Sequence, residues 1–531
     1  MSTLVGVVRL TRFVVRRDRL RLALWVFGLT AVALASAASL RSVYDTPAKV
    51  ASYVRLFGDN PALIAFAGPG YGFDEPNLGV VLVNEVQLWG AVAAALMAIF
   101  LVVRNTRAEE DHERVELVRS AAIGRHAPIA AATLVVAAAE LLLGAAIAAG
   151  LVALGYPTVG SVAVAGSMTA VGLVFVGVGA LCAQVLGTGR GALGLAALAL
   201  VIAFVVRAVG DIGDNALRWA SPIGWAQGVR AYAGERWAPL VACLLLGGGL
   251  VVAAFALSAH RDLGAGLFAA RPGPATAAAT MRTPFGLVRH LGRGALVGWV
   301  LGVLLAGAVY GSITDDVEQM LVDNPQLADY LARLSGVSIT DAYLAVAATM
   351  LAVVACGWAV SSSLTAHTEE AAGRADLLLS GPLARARWLG AHVLMAAVGS
   401  AVVVAASGLG IGIGAAVVLG DARLVLGQTG AALARLPAVL VLVGATTLLV
   451  AFVPRRAPLA WALLAVVAVV AFLADALDLP DWVRSISPFH HLAETPAEPL
   501  SWWRLSAVTA VATLLIGASM VGIRRRDLSV V

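Results

Sequence analysis

Long apolar runs separated by short polar connections make up most of this chain. A helix crossing a hydrocarbon core of roughly 30 Å needs about 20 apolar residues, because lipid offers no partner to an open backbone N–H or C=O. Such runs recur near 22–40, 86–103, 127–153, 160–186, 191–209, 238–258, 294–314, 343–363, 389–417, 430–453, 457–474 and 505–523. Residues 141–189 contain no Asp, Glu, Lys or Arg, and Gly155-Tyr156-Pro157 divides that stretch into two spans. The pattern predicts an all-α integral membrane protein of about twelve transmembrane helices. The composition agrees: 60% of residues are hydrophobic and 13% charged, whereas soluble domains run near about 45–50% and about 25%.

The polar positions repeat as well. After the second span the chain reads Arg107-Ala-Glu109-Glu110-Asp-His-Glu-Arg114-Val-Glu116-Leu-Val-Arg-Ser120, ending at Arg125. After the eighth it reads His367-Thr-Glu369-Glu370-Ala-Ala-Gly-Arg374-Ala-Asp376-Leu-Leu-Leu-Ser380-Gly-Pro382, ending at Arg385. Without gaps, 109 and 369, 114 and 374, 120 and 380, and 125 and 385 all differ by 260. Asp59-Asn60-Pro61 answers Asp323-Asn324-Pro325, and Ser221-Pro222 answers Ser487-Pro488. Arg261-Asp262-Leu263 after the sixth span answers Arg526-Asp527-Leu528 after the twelfth, and Trp25 answers Trp299. Alanine-rich spans can resemble one another by composition, but polar connections cannot. The chain is read as a duplication: a first six-helix unit over 1–258, a linker with a second amphipathic element over 259–292, and a second unit over 293–531. Six spans per unit make the repeats parallel, which places a substrate path at the interface between two bundles.

Charge sets the expected orientation. Arg9, Arg12, Arg16, Arg17, Arg19 and Arg21 precede the first span, and Arg524, Arg525 and Arg526 follow the last. Arg104, Arg107, Arg114, Arg119 and Arg125 crowd one even-numbered connection; Arg374, Arg385 and Arg387 crowd another. Basic residues beside span ends mark the cytoplasmic side, so both termini of a multi-pass plasma-membrane protein are expected there. This distribution, rather than the net charge of +5, decides against nucleic acid as a partner. The first apolar run follows a long basic segment and is expected to stay in place as a span rather than be cleaved. Cys182, Cys243 and Cys356 fall inside spans and read as small core residues.

The duplicated acidic–basic segment is the first functional candidate. Opposite charges three to five residues apart suit a short helix, and its presence twice at one depth suits docking of two copies of a cytoplasmic partner. Two glutamates, then Arg or Gly, an acid, a leucine run, a serine and a downstream arginine resemble the coupling segment of ABC-transporter permeases of the type 2 exporter family. The second copy is the closer match, since the first lacks counterparts of Gly373 and Pro382. The resemblance covers the whole chain as two permease units in tandem, similar to actinobacterial exporters of polyketide antibiotics and multidrug efflux permeases. It implies docking of nucleotide-binding ATPase subunits on Glu109, Glu110, Arg114, Glu116 and Arg125, and on Glu369, Glu370, Arg374, Asp376 and Arg385. ATP and Mg would be bound by those partners, with no cofactor or metal in this chain. The resemblance also implies interfacial elbow helices, which the stretch from Leu4 to Arg19 and the weaker copy at 284–293 would supply; apolar and arginine-bearing sides suit a membrane surface.

Two ionisable residues fall within spans. Glu140, mid-span, is expected to face the bundle interior, on the substrate path or in an internal hydrogen bond. Arg435 is expected to snorkel from the outer part of the tenth span. The Trp-, Pro- and Gly-rich segments 210–236 and 475–504 look like the family's short re-entrant helices at the exit. Adjacent His490 and His491 suit a loop rather than a metal site.

A phosphate-binding loop requires a lysine after a glycine-rich turn. The only lysine is Lys49, within Thr46-Pro47-Ala48-Lys49, so ATP hydrolysis by that route belongs to another subunit. The expected function is therefore the non-enzymatic permease subunit of an ABC exporter for small lipophilic or amphipathic compounds, in contact with membrane lipid. An ion-coupled carrier of the major-facilitator type is the alternative, since it also has two parallel six-helix halves. A membrane-embedded glycosyltransferase would want a large extramembrane loop, which the sequence lacks.

Overall fold

The computed structural model describes residues 3–57, 61–111, 123–261, 266–267, 276–314, 338–474 and 479–526. Among them are twelve helices long and apolar enough to cross a membrane. In chain order these are α1 (Val7–Val43), α2 (Leu78–Asp111), α3 (Ala127–Ala153), α4 (Thr158–Val185), α5 (Gly189–Ile212) and α6 (Ala238–His260). They continue as α7 (Pro284–Ser312), α8 (Thr340–Ala371), α9 (Arg385–Leu419), α10 (Arg423–Phe452), α11 (Pro454–Phe472) and α12 (Trp502–Arg525). No strand occurs among the described residues. The protein is an all-α integral membrane protein. It divides into two compact units, Met1–Gly273 and Pro274–Val531.

Each unit has the same internal pairings. In the first, α1 lies on α3, α2 on α4, and α4 on α6; in the second, α7 lies on α9, α8 on α10, and α10 on α12. Without a hydrophobic force between helices in lipid, small residues and close backbone approach hold such contacts. The α7–α9 crossing shows this directly. A Cβ at Gly311 would lie 2.1 Å from the Ile411 carbonyl, and one at Gly414 would lie 2.1 Å from that of Ala308. Gly307 and Gly410 are equally close to the facing backbone, so two glycine pairs spaced by four seal one interface. In the first unit the residues of α1 aligned with Gly307 and Gly311 are Ala33 and Ala37, both buried.

Three elements differ from the sequence reading. The amphipathic N-terminus is not a separate helix: it runs without interruption into the first span as a 37-residue element. Residues 7–27 contain neither Pro nor Gly, so nothing ends the helix where the apolar run begins. The 284–293 copy is likewise the opening of α7. The tenth span starts earlier than expected and is jointed, with Arg423–Leu433 and Leu436–Phe452 separated at Ala434–Arg435. Pro437 opens the second piece, where its missing N–H is harmless.

The Trp- and Pro-rich segments contain short helices at the ends of the bundles remote from the arginine clusters. Ala216–Ala220 and Pro222–Gln227 lie in the first unit, Asp481–Arg484 and Pro488–His491 in the second. Ser221 caps the helix it precedes, accepting from the Ile223 amide while its hydroxyl donates to the Ala203 carbonyl of α5.

Candidate functional site

The arginine-rich end of each unit is built around the second glutamate of the duplicated pair. In the first unit α2 loosens at Thr106, and a short helix, Arg107–Asp111, follows. Glu110 accepts from Arg107 at 2.6 Å, and from Arg261, one residue beyond α6, at 2.8 and 2.5 Å. Arg261 also donates to Gln184 at the end of α4, at 2.7 Å. Arg125, leading into α3, donates to the carbonyls of Ser258 and Arg261 at 3.1 and 2.8 Å. Asp111 accepts from the Gly189 amide at 2.6 Å and so caps α5. One small charged cluster thereby joins the ends of α2, α3, α4, α5 and α6.

The second unit repeats its essential parts. Arg526, directly after α12, donates to both oxygens of Glu370 at 2.6 and 2.5 Å. Arg385, leading into α9, donates to the Arg526 carbonyl. The Glu–Arg pairs are secluded, with side-chain exposures of 12% and 9% in the first unit and 5% and 15% in the second. Pairs of this kind are strongly coupled, because removing one partner strands a buried charge. We call this arrangement the clip.

The first glutamate of each pair has a different role. Glu109 pairs with Arg17 of α1 at 2.9 Å, tying the N-terminal helix to the end of α2. Buried Asp18 of α1 also takes Arg104, at 3.4 Å. Glu369 pairs with Arg374 at 2.7 Å. Gly373 takes a left-handed conformation, with φ of 69°, which a side chain would strain. It turns the chain into the six-residue helix Arg374–Leu379, whose Arg374, Asp376, Leu377 and Leu378 are exposed. Leu377 is 80% and Leu378 40% exposed, adjacent apolar side chains on an otherwise charged turn.

The candidate docking residues therefore fall into two groups. Glu110 and Glu370 face inward into the clip, Arg125 (itself exposed) and Arg385 join it through backbone carbonyls, and Arg374 and Asp376 are presented outward. Arg114 and Glu116 lie outside the described residues. The partners Arg261 and Arg526, fully buried Arg107 and Gln184 were not assigned roles from sequence, although the recurring Arg-Asp-Leu after the sixth and twelfth spans carried the signal.

The in-span residues also settle into place. Glu140 is fully buried on α3 against α4, where a Cβ at Gly172 would lie 2.3 Å from Oε2. Among the described residues neither carboxyl oxygen has a hydrogen-bond partner, so no internal hydrogen bond seen there explains it. Arg435 corrects the snorkelling expectation: only 2% of it is exposed. Its guanidinium donates to Thr349 Oγ1 and the Ala345 carbonyl of α8, both at 2.8 Å, to the Ala431 carbonyl at 2.8 Å, and to the Thr495 hydroxyl and carbonyl at 3.2 and 2.9 Å. Placed at the joint of α10, it finds inside the unit the carbonyls that a lipid-facing arginine would seek in water.

Sequence comparison places this geometry among known proteins. Residues 281–524 match the model for "Multidrug efflux system permease Rv1217c, C-terminal domain". The chain is 37% identical over 536 aligned residues to the multidrug efflux system permease protein Rv1217c of Mycobacterium tuberculosis (strain ATCC 25618 / H37Rv). That alignment covers 99% of this chain and 96% of the relative.

Proposed function

Since the chain belongs to the family of the multidrug efflux system permease Rv1217c, we propose that it is the permease subunit of an ATP-driven exporter of the ABC type. It would sit in the plasma membrane with the arginine-rich end of each unit in the cytoplasm. Its cargo would be drugs, as the relative's name suggests, and the largely apolar spans suit lipophilic or amphipathic ones. ATP would be hydrolysed by two copies of a separate nucleotide-binding subunit.

The observation that carries this reading is the duplicated clip. A motor outside the membrane needs a handle on the permease and a stiff link from that handle to the helices that move. The exposed helix Arg374–Leu379 supplies the handle, with two leucines for apolar contact and Arg374 and Asp376 for orientation. Four residues before the start of that helix, on the chain that leads into it, Glu370 is bound to Arg526 just after α12. A displacement of the handle passes through a secluded ion pair rather than through loose backbone. The first unit carries the same link between Glu110 and Arg261, so two motor subunits would each act on one unit.

The test separates docking from folding. Purified chain carrying Asp376→Arg and Leu377→Glu should insert normally but lose the ATPase subunit docked on the second unit, so that co-purification retains one copy in place of two. Efflux of a fluorescent substrate should fall with it. Unchanged ATPase retention together with unchanged efflux would overturn the reading. Efflux that persists without the ATPase and collapses with the proton gradient would instead favour the ion-coupled carrier.

A further inference from the structure

The second unit contains a cavity that the docking and clip residues do not account for. It has a volume of about 400 Å³, within the roughly 300–1,000 Å³ range of small-molecule sites. It lies at the arginine-rich end, between the start of α7, the segment 378–383 and the first turns of α9. Leu287, Leu291, Leu378 and Leu383 give it apolar walls.

Its polar groups point to one kind of ligand. Trp388 and His392, one helical turn apart on α9, line the cavity and are 2% and 4% exposed. Among the described residues neither Trp388 Nε1 nor His392 Nδ1 has a hydrogen-bond partner. An indole N–H only donates, so it requires an acceptor, and a buried donor without one keeps an unmet desolvation cost. Arg282 and Arg387 border the same cavity. The one carboxylate there, Glu369, is already bound by Arg374. The site thus combines an apolar body, a buried donor and two cations whose charge no lining acid neutralises.

The first unit lacks this construction. The positions aligned with Arg387, Trp388 and His392 are Ala127, Pro128 and Ala132. There the N-terminus closes over the start of α3: the His126 amide donates to the Thr3 carbonyl, the Gly124 amide donates to the Val5 carbonyl, and Gly6 rests on Ile123. The duplicated halves have diverged at this place, one filled by its own chain and one left open and basic.

We propose that this cavity binds an anionic amphiphile, its carboxylate or phosphate between Arg282, Arg387 and Trp388 Nε1 and its apolar body along the leucines. That chemistry has two sources, an anionic phospholipid of the adjoining leaflet or an anionic amphipathic cargo. The inference needs no ATPase and stands apart from the exporter mechanism.

The experiment uses the full chain in neutral detergent and dansylaminoundecanoate as probe, read by the rise and blue shift of dansyl emission. Saturable binding is expected, with the neutral methyl ester binding about tenfold more weakly. Arg282→Ala with Arg387→Ala should raise Kd by about tenfold, Trp388→Phe by about threefold, whereas Arg282→Lys with Arg387→Lys should stay near the parent value. The lysine pair also controls for folding, since it keeps the charge. Displacement by dioctanoyl phosphatidylglycerol but not by fusidate assigns the site to lipid; displacement by fusidate assigns it to cargo. Equal affinity for the methyl ester, an unchanged Kd in the double alanine variant, or equal displacement by dioctanoyl phosphatidylcholine would overturn the proposal.

Discussion

At the scale of single residues, burial decides which charges matter. Glu370 and Arg374 stand four positions apart in the same motif, yet Glu370 is buried against Arg526 while Arg374 is half exposed on Glu369. Breaking the first pair leaves a charge without water; breaking the second does not. Glu370→Ala should therefore lower unfolding stability by about 3 kcal/mol, and Arg374→Ala by less than about 1 kcal/mol. Both are measured by graded denaturant in mixed micelles, and equal losses would refute the distinction. Charge exchange, Glu370→Arg with Arg526→Glu, should recover part of the first loss. Arg435 belongs to the same logic: Arg435→Lys keeps the charge but cannot meet acceptors on α8, α10 and Thr495 together. It should unfold earlier than the parent, and a transition unmoved by the change would show that the fork of donors is dispensable. None of these assignments was legible from local sequence. Hydropathy gave Arg435 a depth but not a facing, and Glu370 meets a partner 156 residues away.

At the scale of elements, the spans were readable because lipid imposes one requirement on all of them, a length of apolar helix with every backbone group satisfied. Where the reading departed, a local signal was lacking. No breaker separates the basic N-terminal stretch from the first span, so α1 extends to 37 residues, about 55 Å at 1.5 Å per residue and longer than a hydrocarbon core. Helix pairing was less visible, although the glycines that meet across α7 and α9 stand four apart on each helix, Gly307 with Gly311 and Gly410 with Gly414. Their closeness makes a sharp prediction. Gly311→Ala places a methyl 2.1 Å from the Ile411 carbonyl and should cost about 1–3 kcal/mol by forcing the helices apart. Gly302→Ala on the same helix meets nothing within 4 Å and should be neutral or slightly stabilising, through helix propensity. Thermal unfolding of the two variants side by side checks this, and similar midpoints would mean that close packing of α7 on α9 is unimportant.

At the scale of the whole molecule, duplication is what the polar connections announced, and its consequence concerns number. A chain with one handle would bind one motor subunit; a chain with two should bind two. The handles are not identical: the second has Gly373 turning into an exposed short helix, while the first lacks that glycine and its glutamate is held by Arg17 of α1. Removing the second handle with Asp376→Arg and Leu377→Glu should therefore leave a complex of one ATPase per permease instead of two. Native mass spectrometry of the purified complex resolves that difference as the loss of one subunit mass. The remaining complex should hydrolyse ATP slowly, since motor subunits that work as a pair cannot close with one absent. Loss of both subunits at once would mean that they bind only as a preformed dimer, and retention of both would mean that Arg374–Leu379 is not the handle. The clip variant Glu370→Ala should behave differently from either, because its exposed helix is intact while its link to α12 is cut. On the proposed exporter reading, ATPase subunits should stay bound and hydrolysis should continue while efflux falls, an uncoupling that a damaged docking surface would not produce.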